Sequence, residues 1–392
     1  MAPSLKIAVN TRFLLKNRLE GFGHFTNETL KRITQQHPEV QFYFLFDRPY
    51  DSSYIYGPNV KAVVLPPQAR HPFLWYLWFE LSTAIWLKIN KPDLYLCTDG
   101  YACMNTSVKQ VTVMHDLAFE HFDDSIKLYQ LRYMRKNSPM FANKVDRIAT
   151  VSEFSKQDIV EKYKIKADKI DVVYNGANHL YKVLDDSEKL KIKEQYTNGH
   201  DYFVYVGSIH PRKNVKRLLE AFDNYKTQSG GNKKLLVVGR MAWQTSDVKD
   251  TVQAMKHKSD VIFTGYVSDE ELAKCVGAAF ALCYVSLFEG FGIPIIEAMK
   301  SGVPVICSNI TSMLEVGLNA SIQVNPYQTK EITNAMLLLD KDNDVRLSLI
   351  QKGLQRQLDF TWDKTAQKLW DCCVKVIGSR STASVISSED EK

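Results

Sequence analysis

Twice along this chain, short runs rich in β-branched and aromatic residues alternate with longer segments of helical period. In the first half the runs are LKIAVN (5–10), QFYFLF (41–46), KAVVLP (61–66), DLYLC (93–97), QVTVMHD (110–116), RIATVS (147–152) and IDVVYN (170–175). Helical patterns over 24–36, 125–143 and 154–165 separate several of them. The plan restarts with YFVYVGS (202–208), KLLVVG (234–239), VIFTGY (261–266), FALCYVSL (280–287), PVICSN (304–309) and SIQVN (321–325). Such alternation restricts the fold to parallel sheets covered by helices, since parallel neighbours need a long crossover between them. The expectation is α/β: two doubly wound, Rossmann-like domains facing a central cleft, with ligands held at the carboxyl ends of the strands.

Length agrees, because 392 residues exceed what one core usually serves. Residues 1–181 read as the first domain and 202–361 as the second, with the charged, non-periodic stretch 182–201 as a linker. A last helix over 362–377 is expected to pack back on the first domain, leaving 378–392 as a disordered tail. A net charge of +6 suits phosphate ligands or an anionic membrane but falls short of a nucleic-acid-binding profile, so no nucleic acid partner is expected. Seven scattered cysteines show no zinc spacing, and Cys97, Cys283 and Cys307 sit in apolar runs as small hydrophobes. MAPSLKIAVN has no apolar run long enough for a signal peptide, and no eighteen-residue apolar run occurs, so a reducing, cytoplasmic location is expected.

Chemistry concentrates in SLFEGFGIPIIEAMKSGVPV (286–305). A strand should end at the cleft, turn through Glu289, Gly290, Phe291 and Gly292, and enter a helix near Ile293 and Pro294. Glycines let a ligand approach the backbone, and the amides of Phe291, Gly292 and Ile293 can point at hydroxyl or phosphate oxygens. Glu289 and Glu297 can accept hydrogen bonds from sugar hydroxyls or merely complement the helix N-terminus. In YVGSIHPRKNVKRLLEAF (205–222), Gly207 leads to Arg212 and Lys213 at a helix start, either a diphosphate site or a solvated basic helix end.

Gly21 and Gly23 of LEGFGHFTNETL (19–30) suggest the dinucleotide fingerprint, with Asp47 as its acid. But Thr26 stands where the third glycine belongs, and the pair lies about ten residues past the first strand instead of directly after it. A nicotinamide enzyme is thus disfavoured, and no P-loop run exists. His115, with Asp116, ends another strand and is structural or catalytic. Ser152 and Ser155 suit a helix cap.

These motifs together resemble the retaining GT-B-fold glycosyltransferases of family four. EGFGIPIIE (289–297) looks like that family's E-x7-E element, and YVGSIHPRKN its diphosphate-binding strand. VMHDL, TVSEFS, VVYNGAN and FTGYVSDEEL match further landmarks in order, and the similarity runs to about residue 378, strongest toward mannosyltransferases using GDP-mannose. The resemblance implies that Glu289 holds a hydroxyl of the donor sugar and Glu297 the ribose. Arg212 and Lys213 would neutralise the diphosphate with help from Gly21 and Gly23, and His115 would lie beside the transferring sugar. Base contacts would come from Gly239, Arg240, Tyr266 and Val267, although Met241-Ala242-Trp243 departs from the family's pattern after Gly239. No cofactor or metal is implied beyond the donor, GDP-mannose or else a UDP-sugar. The acceptor would be a glycan or lipid-linked sugar. A sugar-nucleotide epimerase, a phosphorylase and a non-catalytic nucleotide-sugar-binding protein are the competing readings.

HPFLWYLWFELSTAIWLKINK (71–91), apolar on nearly every face with three tryptophans, fits a buried helix or a membrane-facing surface at the inner membrane face.

Overall fold

The computed structural model describes residues 5–16, 19, 21–123, 126–240 and 246–386. The chain forms two units, residues 1–175 with 362–392, and residues 176–361. In the first, strands β1 (Lys6–Asn10), β2 (Gln41–Phe46), β3 (Val60–Val64), β4 (Leu94–Cys97), β5 (Gln110–Val113), β6 (Arg147–Thr150) and β7 (Ile170–Val172) pair in parallel. Their order is β3-β2-β1-β4-β5-β6-β7. All residues of β4 and β5 are buried, as a sheet covered on both faces requires. The chain runs outward from β1 to β3 and resumes at β4 on the other side of β1, which opens a crevice beyond the carboxyl ends of β1 and β4.

The second unit repeats the device with β8 (Tyr202–Val206), β9 (Lys234–Val238), β10 (Val261–Gly265), β11 (Ala281–Tyr284), β12 (Val305–Ser308) and β13 (Ile322–Val324). They are parallel, in the order β10-β9-β8-β11-β12-β13, so the switch falls between β8 and β11. Separate cores serve the two units, one around Trp78, Tyr95 and Phe141, the other around Phe203, Leu218 and Phe222.

Three boundaries differ from the sequence expectation. Residues 182–201 are not a linker: Asp186–Thr197 is a helix with a capping box between Asp185 and Glu188, and it lies in the second unit, which begins at residue 176. Only Ile192 and Thr197 of this helix are buried, so its sequence shows almost no apolar period. The last helix runs from Trp362 to Ile386, past the expected end at 377, and residues 387–392 lie outside the described residues. It belongs to the first unit: Arg32 Nε meets Asp363 Oδ1 at 2.6 Å, Trp370 stacks on His37 at 3.9 Å, and Thr365 Oγ1 donates to the Tyr174 carbonyl at 2.6 Å. The helix expected over 125–143 occupies Leu128–Lys144, with residue 125 outside the described residues.

Residues 72–90 are helical throughout, with a π turn at Trp78–Thr83. The segment is not buried all round. Trp78, Phe79 and Leu87 enter the core, whereas Phe73, Tyr76, Leu81, Ile85 and Ile89 are exposed. All seven cysteines are free and buried.

Candidate functional site

In the second unit the site is built on the two strands flanking the switch point. β8 leads through Gly207 into a short 3-10 turn, Pro211–Lys213, ahead of the helix Val215–Ser229. Arg212 and Lys213 therefore sit just before that helix, not in its first turn. Asn214, in the left-handed conformation, fixes the turn against the other strand: its Nδ2 donates to the Val285 carbonyl at 2.9 Å and the Pro326 carbonyl at 2.8 Å. Leu287 N donates to the Arg212 carbonyl at 2.7 Å, completing the link between the segments that follow β8 and β11.

That link brings three charges together. Lys213 Nζ lies 2.5 Å from Glu289 Oε1 and also donates to Tyr284 Oη at 3.1 Å. Arg212 Nη1 lies 3.2 Å from Glu289 Oε2 and donates to the Phe288 carbonyl at 2.9 Å. Glu289 is 7% exposed. Burial alone would raise its pKa, but the charges of Lys213 and Arg212 overcome this and hold it at about 2. Two cations share one anion, which leaves a net positive cluster. Past Glu289, Gly292 at φ 98° caps the helix Ile293–Lys300, and Phe291 turns inward against Phe360, with ring centroids 5.5 Å apart.

Glu297 stands apart from this cluster. Burial pushes its pKa up to about 7, against the opposing pull of the Tyr181 hydroxyl and the Asn178 backbone. The two glutamates of one motif are thus driven in opposite directions. A carboxyl whose pKa is higher folded than unfolded weakens the fold as it ionises. Its share of stability is present below the unfolded value, 4.5, and is lost as pH rises toward 7. Glu297→Gln should abolish that loss: the stability gap between variant and wild type should widen across this window when urea unfolding is followed. A pH-independent gap would refute the assignment.

At the ends of β9 and β10, Gly239 approaches Gly207 so closely that a Cβ would stand 2.0 Å from the Gly207 carbonyl oxygen; only glycine fits. Beyond it Arg240 lies over the exposed Tyr266 ring, 4.6 Å from its centroid, next to Val267. These base-contact candidates do meet; Met241-Ala242-Trp243 lies outside the described residues.

In the first unit His115 follows β5, between Phe22 at 4.7 Å and Phe25 at 4.9 Å. Its Nε2 is 2.9 Å from the Thr98 carbonyl, which can only accept, so Nε2 carries the proton and Nδ1 is the acceptor. Burial lowers its pKa, keeping the ring neutral. Gly21 and Gly23 are not a loop before a helix starting at 24: both lie in the first turn of the helix Gly21–Gln36. Gly23 is there for packing, since a Cβ would meet the Phe13 carbonyl oxygen at 2.7 Å, whereas a Cβ at Gly21 would meet nothing.

Sequence reasoning missed a buried ion pair beside His115. Arg12 Nε binds Asp99 Oδ2 at 2.7 Å, the same oxygen takes Asn10 Nδ2 at 2.8 Å, and the guanidinium lies over Tyr101 at 4.3 Å. Burial opposes the Arg12 charge, but Asp99 and Tyr101 raise its pKa. Arg12 and Asp99 are 87 residues apart and carry no motif; only the pairing of β1 with β4 joins them. Asp99 and Tyr101 line a cavity with Phe22, His115, Asp116 and Tyr133.

Comparison with known proteins agrees with this architecture. Residues 20–179 match the family described as Glycosyltransferase Family 4, and residues 186–356 match Glycosyl transferases group 1. The chain is 31% identical over 280 residues to O-antigen chain mannosyltransferase RfbU of Salmonella typhimurium, covering 71% of this chain and 74% of that one. It is 30% identical over 256 residues to O-antigen chain mannosyltransferase B of Escherichia coli, covering 65% and 67%. Sucrose-phosphate synthase from Thermosynechococcus elongatus superposes with a TM-score of 0.76 at 16% identity, covering 96% of this chain and 100% of that chain. Anabaena HepE, solved with UDP and glucose, gives 0.71 at 18% identity over 95% and 100%. By sequence over both units and by fold, the chain belongs to the GT-B-fold glycosyltransferases of family four.

Proposed function

We propose that this glycosyltransferase moves mannose from GDP-mannose, with retention of configuration and without a metal, to a glycan or lipid-linked acceptor, in the cytoplasm with peripheral contact at the membrane. The observation that carries this reading is the cluster of Arg212, Lys213 and Glu289 held across the β8/β11 switch point. The mannosyltransferase relatives support the choice of sugar.

Cleavage of the bond from the sugar C1 to the β-phosphate oxygen leaves negative charge on the nucleoside diphosphate. Two side-chain cations stabilise that charge more in the transition state than in the ground state. The acceptor hydroxyl oxygen bonds to C1 on the face the phosphate leaves, and its proton passes to the departing phosphate oxygen. Glu289 holds both cations in place, and its carboxylate accepts a hydroxyl of the donor sugar. Glu297, Arg240, Tyr266 and Val267 serve the nucleoside, and neutral His115 offers Nδ1 to a sugar hydroxyl. Asp340 and Asp342 stand in an Asp-x-Asp spacing of the kind that can hold a metal, but each has a structural partner: Asp340 binds Lys233 at 2.5 Å, and Asp342 caps the helix Asn343–Arg356.

Thermal shift with GDP-, UDP- and ADP-sugars, followed by transfer or slow hydrolysis of labelled GDP-mannose, tests this reading, because a bound donor raises apparent stability by mass action. GDP-mannose should stabilise most, and turnover should survive EDTA. Stabilisation by UDP-sugars alone would overturn the donor, and activity lost in EDTA but restored by magnesium or manganese would overturn the metal-free scheme. Donor binding without transfer or hydrolysis would mark a non-catalytic binding protein.

A further inference from the structure

The buried ion pair of Arg12 and Asp99 sits next to the group that fixes His115. The Thr98 carbonyl, 2.9 Å from His115 Nε2, belongs to the peptide unit that joins Thr98 to Asp99. Side chains tie that unit at both ends. On one side Thr26 Oγ1 donates to the Phe22 carbonyl at 2.7 Å. With the Thr26 hydrogen so used, its 2.6 Å contact with Thr98 Oγ1 makes the Thr98 hydroxyl the donor. On the other side Asp99 Oδ2 takes Arg12 Nε at 2.7 Å and Asn10 Nδ2 at 2.8 Å. Gly100, at φ 82°, turns the chain so that the Tyr101 amide faces Asp99 Oδ1 at 3.4 Å. Thr112 Oγ1 then holds the Tyr101 carbonyl at 2.8 Å. The segment after β4 is thereby fastened to β1, to the helix Gly21–Gln36 and to β5.

Arg12 is itself confined. It is 6% exposed, and its guanidinium lies 4.3 Å from the Tyr101 ring centroid, 4.7 Å from Phe13, 5.3 Å from Phe79 and 5.8 Å from Trp75. Four aromatic rings hold one cation. Burial of such a pair is a poor source of stability. Taking both charges out of water offsets their attraction, and apolar side chains of the same volume often serve as well. Apolar side chains, however, set no direction. Charge-assisted hydrogen bonds fix where Asp99 lies, and with it where the Thr98 carbonyl points.

That direction has a chemical consequence. A neutral imidazole carries one proton, and the hydrogen bond made by one ring nitrogen decides the state of the other. We propose that Arg12 and Asp99 are positioning residues for the transfer: they hold the Thr98 carbonyl against His115 Nε2 and so keep Nδ1 bare, as an acceptor for a sugar hydroxyl. Without the pair the carbonyl turns away, the proton redistributes to Nδ1, and the acceptor becomes a donor. The inference deepens the proposed function and rests on its placing of His115 beside the sugar.

The tautomer of His115 tests it, read by NMR on the full chain labelled with nitrogen-15 histidine. Loss of signals in His115→Gln identifies the ring among the nine histidines. Arg12→Met/Asp99→Asn removes both charges at similar volume and leaves no unpaired buried charge behind. Wild type should show protonated Nε2 and bare Nδ1, and the double variant a mixture of both tautomers. Turnover of labelled GDP-mannose should fall about tenfold in the variant, the scale of one hydrogen bond. The His37 and His121 signals should stay in place, showing that the first unit is folded. A pair that only supported the fold would lower thermal stability and leave both the tautomer and turnover unchanged, which overturns the proposal. So does a wild-type His115 protonated at Nδ1, a result that does not depend on the variant's folding, or a shifted tautomer with wild-type turnover. If wild type transfers nothing from GDP-mannose, the proposed donor fails, and the tautomers still decide whether the pair positions His115.

Discussion

Glu289→Gln should cut turnover about a hundredfold, the usual scale for losing one well-placed contact made in the transition state. The substitution keeps the shape and removes only the charge. Glutamine still accepts at Oε1, so the turn from Phe288 to Gly292 should persist. What disappears is the anion that Arg212 and Lys213 share. That carboxylate competes with the diphosphate for the same two cations, so free GDP should bind the variant at least as tightly as wild type. Loss of turnover with retained or improved product affinity is therefore the signature. Near-wild-type turnover would end the proposed role, and a parallel fall in GDP affinity would show that the residue only holds the site together.

Arg212→Ala and Lys213→Ala should behave oppositely, weakening GDP affinity and transfer together by about tenfold to a hundredfold each, the worth of a charge-assisted hydrogen bond. Lys213 should matter more to Glu289 itself, since its Nζ makes the closest contact, at 2.5 Å. Without it the buried carboxylate keeps only Arg212 and its pKa should climb back from about 2, so that the stability lost as wild type is acidified below 4.5 should shrink in the variant. Isothermal titration with GDP and with UDP reads the affinities. Unchanged affinity in both variants would reduce the pair to a solvated turn.

Much of this was legible before the fold was known, for a physical reason. Strands buried on both faces are largely apolar, so LYLC and ALCY announce themselves by composition. Glycine and proline mark the turn at 290–294, because a φ of 98° at Gly292 and a helix-opening proline have few substitutes. The helix at 186–197 was not legible, because it buries only Ile192 and Thr197. Nor was the turn that places Arg212 and Lys213 before their helix, which depends on Asn214 reaching Val285 and Pro326.

Local patterning by itself determined the elements, their parallel pairing and the repetition of the plan, since the period and burial of each run are properties of a few neighbouring residues. It also marked Arg212, Lys213 and Glu289 as chemistry-bearing. That Lys213 and Glu289 share an ion pair was decided by strand order, which sets β8 beside β11 although the residues are 76 apart. The same holds for Arg12 and Asp99, joined through β1 and β4, and for Glu297, whose pKa rises because folding buries it. Charge and burial at a point are sums over everything that packs there, and no stretch of sequence contains that sum.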